Sequence, residues 1–193
     1  MREMNSVKEK ILDRAVYLIG KRGTMNVPVR AIAKEAGVNI GAINYYFVTK
    51  EALLGEIMGF LIENSHDALK QLNNEDMSER EILLNYANEL MEYNLRYPGV
   101  TVILAAANET VETSELSKSL VAVTKLIQQR LEEILGSLMT CDPSDHIRRK
   151  MIFISSLVYP VEKYDVIYTE KVDFLDRQER LAYINHIIDL LTS

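Results

Sequence analysis

The residues best suited to a chemical task in this 193-residue sequence stand close together: Gly41, Ala42, Asn44, Tyr45 and Tyr46, with Lys50 just beyond them and Arg30 a short way before. The first five carry no charge, two of them are small, one is an amide and two are adjacent tyrosines. Such a set suits a groove in DNA. Small residues let a helix approach base edges, Ala42 can touch a thymine methyl, Asn44 can pair bidentately with adenine, and tyrosine hydroxyls can donate to phosphates.

Two short helices joined by a tight turn must position this set. Val29, Ile32, Ala33 and Ala36 recur at helical spacing and make the apolar face of the first, with Arg30, Lys34 and Glu35 off it. Gly37 ends that helix, and Asn39 is placed to cap the next through its side-chain oxygen. The spacing of Ile40, Ile43 and Phe47 predicts that all three point the second helix back onto the first. In a helix-turn-helix the second helix enters the major groove. Spacing alone fits equally well a pair of amphipathic helices that binds nothing.

The runs Ile11-Leu-Asp-Arg-Ala, Lys21-Arg-Gly, Val29-Arg-Ala-Ile-Ala-Lys-Glu-Ala-Gly-Val and Gly41-Ala-Ile-Asn-Tyr-Tyr-Phe-Val-Thr-Lys-Glu-Ala-Leu-Leu54 closely resemble, in order and spacing, the N-terminal DNA-binding domain of TetR (tetracycline repressor-like) transcriptional regulators. The resemblance implies an all-α protein: a three-helix helix-turn-helix DNA-binding domain, taken as residues 1–49, then a larger helical ligand-binding and dimerisation domain, residues 50–193. Carried over by position, it makes Arg30, Gly41, Ala42, Asn44, Tyr45, Tyr46 and Lys50 the operator contacts. It departs from the family at Val27 and Pro28, where Ser or Thr is common. A hydroxyl there would cap the helix and reach a phosphate, whereas proline is acceptable in a first helical turn.

Charge is divided in the same sense. Residues 1–50 carry nine Lys/Arg against four Asp/Glu, a net +5, leaving 13 against 24, a net −11, for the rest. The basic end is the nucleic-acid end, and an acidic body repelled by the duplex favours one orientation. The single cysteine, Cys141, excludes an internal disulfide framework and fits a reducing cytoplasm. Glu9, Asp13 and Arg14 interrupt the apolar periodicity that a secretory signal would need, and no uncharged stretch is long enough to span a membrane.

The rest of the chain reads as helices. Val7, Ile11, Leu12, Ala15, Leu18 and Ile19 brace the reading pair from a first helix ending near Gly20 and Gly23, whose Lys8, Lys10, Lys21 and Arg22 are candidate phosphate contacts. Thr49 caps a fourth helix to about Asn73, roughly 35 Å long at about 1.5 Å per residue, long enough to tie head to body. Ser78 and Glu81 make a capping box for a helix bearing Tyr86, Tyr93 and Tyr97, closed by Pro98-Gly99. A tyrosine stripe lines a ligand pocket or, more commonly, packs a core. Tyr86 and Tyr93, with Asn108 beyond a buried run from Gly99 to Ala107, are the candidate effector contacts.

A helix from about Ser114 to Leu138 follows, then one opened by Asp142-Pro143 and carrying Ile147, Met151, Ile154 and Val158. Residues 159–173 read as a loop broken by Pro160. Asp176 and Glu179 cap the last helix. The two C-terminal helices of two copies are expected to form a four-helix homodimer interface, although they could instead pack within one subunit.

Expected partners are therefore a double-stranded DNA operator, a second copy and a small-molecule effector, with no cofactor, metal or membrane. Since Asn44 is the one polar base-reader on the face, phosphate contacts and duplex shape should supply much of the selectivity, with Arg30 at the groove edge as the candidate for guanine. Met58, Met91 and Met151 would suit an adaptable pocket but equally an ordinary core. An enzyme is disfavoured: His66, His146 and His186 are isolated, and there is no pair of Glu-x-x-His segments, cysteine cluster or Gly-x-Ser-x-Gly. A helix-turn-helix serving protein contact is the other alternative, and predicts no salt-dependent DNA binding.

Overall fold

The computed structural model describes residues 6–138, 142–162 and 173–192, which form nine helices and no strand. In chain order these are α1 Val7–Arg22, α2 Val29–Ala36, α3 Ile40–Tyr46, α4 Lys50–Leu72, α5 Glu79–Arg96, α6 Val100–Glu109, α7 Glu115–Leu138, α8 Pro143–Glu162 and α9 Arg177–Thr192. They fall into two compact units, Met1–Ser65 with Arg96–Val123 and His66–Leu95 with Thr124–Ser193. The first part of α4 and all of α6 group with α1–α3, a wider association than residues 1–49. Among the described residues, no helix is long and apolar enough to cross a membrane.

In the first unit α1 packs against α2, α3 and α6. Its buried face is Ile11, Leu12, Ala15, Val16 and Ile19; Val7, expected on that face, is instead exposed in the first turn, where no helix covers it. Buried Asp13 accepts from Arg96 Nε at 3.0 Å and Arg14 Nε at 2.6 Å, joining α1 to the last turn of α5. One turn further along, α1 runs hard against the start of α6. A Cβ on Gly20 would lie 2.3 Å from the Pro98 carbonyl carbon, and one on Gly99 would lie 2.2 Å from Val16 O. Gly20 is thus a close-approach residue inside α1, not its end, which falls at the left-handed Gly23. The run after Gly99 is helical but less covered than its composition suggests: Ile103 and Ala107 are buried, whereas Thr101 and Ala105 face out.

In the second unit the core unites Leu83 and Met91 of α5, Leu131 and Ile134 of α7, Phe153 and Leu157 of α8, and Ile184 and Ile188 of α9. The Ser78–Glu81 capping box forms as predicted, with Ser78 N donating to Glu81 Oε2 at 3.0 Å and Glu81 N to Ser78 Oγ at 3.3 Å. Those bonds from Ser78 hold the Glu81 carboxyl below its ordinary pKa, so the box's electrostatic support is lost on acidification through that range. Buried Arg180 of α9 donates to Asn88 Oδ1 of α5 at 3.1 Å and to the carbonyls of Phe174 and Leu175 at 2.7 and 3.0 Å. Glu92, 3.3 Å away, balances its charge.

One expectation is corrected here. Residues 159–162, read as the start of a loop, are helical, because α8 continues through Pro160 to Glu162; the rest of that predicted loop, residues 163–172, lies outside the described residues, as does Cys141. Proline inside a helix leaves the carbonyl four residues earlier without its N–H. Here that carbonyl is Ser156 O, and Tyr183 Oη donates to it at 2.7 Å. The buried row of α8 is Phe153, Leu157 and Val161, while Ile147, Met151, Ile152 and Tyr159 are 52–65% exposed. Both faces of the helix carry the apolar period, so the period alone does not say which of them is inward.

Replacing Gly20 by Ala should lower unfolding stability by about 2–3 kcal/mol, because the methyl meets backbone that must shift. Gly59, with nothing within 4 Å of a built Cβ, is the internal control. Gly59→Ala should stabilise α4 by about 0.5–1 kcal/mol. Urea unfolding of both variants checks the contrast.

Candidate nucleic-acid interface

The turn between α2 and α3 is built from three local choices. Gly37 takes φ 65°, ψ 33°, the left-handed conformation that ends α2 with its N–H on the carbonyls of Ala33 and Lys34. Val38 N then bonds Ala33 O at 3.0 Å. Asn39 turns extended, and its Oδ1 accepts from Ala42 N at 2.7 Å, capping α3. At the other end of α2, Pro28 occupies the cap position itself with no side-chain cap bond, and Val27 is buried. The phosphate-reaching hydroxyl common in the family is accordingly missing.

Ile32, Ala33 and Ala36 of α2 and Ile43 and Phe47 of the α3 segment are all 5% exposed or less. With those side chains inside, Gly41, Asn44, Tyr45 and Tyr46 are exposed and Ala42 is half-buried. Tyr45 stands 82% and Tyr46 40% exposed, their rings edge to face with centroids 5.1 Å apart. Arg30 is exposed on α2. Lys50 is half-buried, and its Nζ donates to Asn26 Oδ1 at 2.5 Å. Asn26 thus steadies an ammonium that keeps two further N–H donors for a phosphate.

Of the four α1 cations expected at phosphates, Lys8 is paired with Glu56 at 2.8 Å and Lys21 lies over the Tyr17 ring at 5.7 Å. Lys10 and Arg22 are exposed.

One prediction about α3 is overturned. Ile40 does not turn back onto α2 but is 43% exposed. A helical side chain leans toward the preceding turn, and for the first residue of a helix that direction leads off its end. Val48, past the Phe47 cap, is 86% exposed and also lay outside the expected set. Position relative to the helix end, not residue type, is the signal that would have found Ile40.

The three candidate effector residues are placed separately. Tyr86 is buried in the second unit's core, where desolvation pushes its phenol well above the ordinary pKa, and Tyr93 is half-buried on the same helix. Asn108 is exposed on α6 in the first unit, donating from Nδ2 to Leu104 O at 2.9 Å. A cleft of about 430 Å³ lies elsewhere, lined by Gly23, Thr24, Met25, Thr101, Val102, Ala105, Ala106 and Glu109. Met91 is buried, Met58 half-buried and Met151 exposed. Among the described residues no group of His, Cys, Asp or Glu is arranged to hold a metal.

Known proteins share both this segment and this fold. Residues 11–57 match the family described as bacterial regulatory proteins, tetR family. The probable HTH-type transcriptional regulator YttP of Bacillus subtilis is 32% identical over 50% of this chain, which covers 47% of its length. The uncharacterized HTH-type transcriptional regulator YerO of the same organism is 28% identical over 96% of this chain and 70% of its own. The ketosteroid transcriptional regulator KstR2 of Mycobacterium tuberculosis superposes with TM-score 0.72 at 15% identity, over 97% of this chain and 95% of its own. A TetR-family regulator from Bordetella parapertussis gives 0.68 at 14%, with the same coverage. The matched segment contains α2, α3 and the turn between them: residues 11–57 of this chain are a tetR-family segment, and over nearly its whole length the chain has the fold of these solved regulators.

Proposed function

We propose that this chain is a homodimeric transcriptional repressor that binds a palindromic DNA operator and is released by a small apolar or amphipathic effector. The observation that carries the DNA part is the uncharged, exposed face of α3, with Asn44, Tyr45 and Tyr46 held outward by the burial of Ile43 and Phe47. Asn44 is assigned to adenine, Ala42 and Gly41 to close approach, Tyr45, Tyr46 and Lys50 to phosphates, and Arg30 to the groove edge.

Dimerisation is supported by the apolar surface that α8 and α9 leave uncovered. Ile147, Met151, Ile152 and Tyr159 on α8 and Leu190 on α9 are each more than half exposed. An isolated head on one half-site binds weakly, whereas two heads in one symmetric particle add their contributions. An effector that prefers a body conformation with the wrong head separation lowers operator affinity, by about five- to 150-fold for ordinary coupling. Of the three expected contacts, Tyr93, half-buried on α5, is the one retained in this proposal.

Three measurements bear on this. Asn44→Ala should relax sequence preference, whereas Lys50→Ala should weaken all sequences alike and flatten the logarithmic salt slope by about one. Equal loss of specificity in both variants, in salt-titrated binding assays, would contradict the assignment. Met151→Glu should raise the dimer dissociation constant about tenfold or more without unfolding the subunit, because it places an unpaired charge in the interface. Sedimentation equilibrium reads this directly, and an unchanged dimer, or a monomeric wild type, counts against the interface. Finally, at least one member of a chemically broad panel of small apolar molecules should weaken operator binding by about five-fold or more.

A further inference from the structure

We infer that Ile40 is a specificity-determining residue that reads a thymine methyl group beside the base contacted by Asn44. This inference rests on the DNA-binding role proposed for α3. Ile40 and Asn44 are four residues apart on the seven-residue α3, so their side chains share one face, a turn apart. Both are exposed, Ile40 at 43%, whereas Ile43 and Phe47 of the same segment are 2% exposed. Much of the Ile40 side chain is thus left available to a partner outside the subunit.

The major groove offers one apolar group, the C5-methyl of thymine. Every other feature on its floor is a donor or acceptor, and an aliphatic side chain pressed against one removes its water and returns no hydrogen bond. Ile40 therefore favours thymine and discriminates against the remaining bases by leaving their polar edges unpaired. Helical turns of about 5.4 Å against base steps of about 3.4 Å place the contact one or two steps from the Asn44 base. This adds an apolar term to a face whose single polar reader is Asn44.

The test uses the full chain and the tightest duplex recovered from a random-sequence pool, synthesised with thymine throughout and again with uracil at one position, one or two steps from the adenine contacted by Asn44, so that the two differ only in that methyl. Wild type should bind the uracil duplex about three- to five-fold more weakly, the value of burying one methyl. Ile40→Ala should bind both duplexes equally, while Asn44→Ala should keep the full thymine-to-uracil ratio despite its relaxed preference. Matching far-ultraviolet circular dichroism confirms that the exposed substitution leaves the fold intact. A wild type indifferent to the methyl, or an Ile40→Ala variant that retains the ratio, overturns the inference while leaving α3 as the DNA-contacting helix. Failure to enrich any duplex, with no salt-dependent binding, overturns the DNA-binding role itself and this inference with it.

Discussion

The constraint on which the rest depends is that the α2–α3 pair has barely enough apolar side chains to bury, and turns five of them fully inward. Ile32, Ala33 and Ala36 meet Ile43 and Phe47 across a turn that only a left-handed residue at Gly37 and a capping oxygen at Asn39 can close. An eight-residue helix and a seven-residue helix would not persist alone in water. Their stability is therefore the burial of these five side chains together with the brace from α1. Once this packing is fixed, the outward residues of α3 are free of structural duty and present chemistry instead.

Lys50, among the proposed DNA contacts, is tied to a neighbour distant in sequence. It sits at the start of α4, one residue after the Thr49 cap whose Oγ1 accepts from Ala52 N at 3.1 Å. Its bond to Asn26 fixes an otherwise mobile four-carbon stem, so that less side-chain entropy is lost on meeting a phosphate. The Asp13–Arg96 pair and the Gly20–Gly99 contact are rigid in another way, since each holds α1 against the α5–α6 junction with little slack. A displacement of that junction must either move α1 or break those contacts.

Much of the fold was legible in the sequence because its signals are local. The Gly37 stop, the Asn39 and Thr49 caps and the Ser78–Glu81 box each depend on residues within a turn of one another, and each forms. What was not legible depends on neighbours distant in sequence. Pro160 ends no helix, because Tyr183 satisfies the carbonyl it strands. The exposed apolar face of α8 has the same period as its buried face, and of the two glycines near the end of α1 only Gly23 is the cap, Gly20 serving the close approach of Pro98 and Gly99. Within the candidate site spacing gives the outward set, but Ile40, whose helical phase matches Ile43 and Phe47, reads as inward and is not. Effector contacts had no local signature at all, and Tyr86 is a core residue whatever else it does.

The most direct measurement of whether α3 is the surface that meets the double helix is the nuclear magnetic resonance signal of the Asn44 side-chain amide, followed as duplex DNA is added. If α3 lies in the major groove, that signal shifts on selected duplex and returns toward its free position on a duplex with the contacted adenine replaced. A signal unmoved while the protein is demonstrably bound would mean that DNA is held by another face, and that the burial of Ile43 and Phe47 exposes α3 for some other partner.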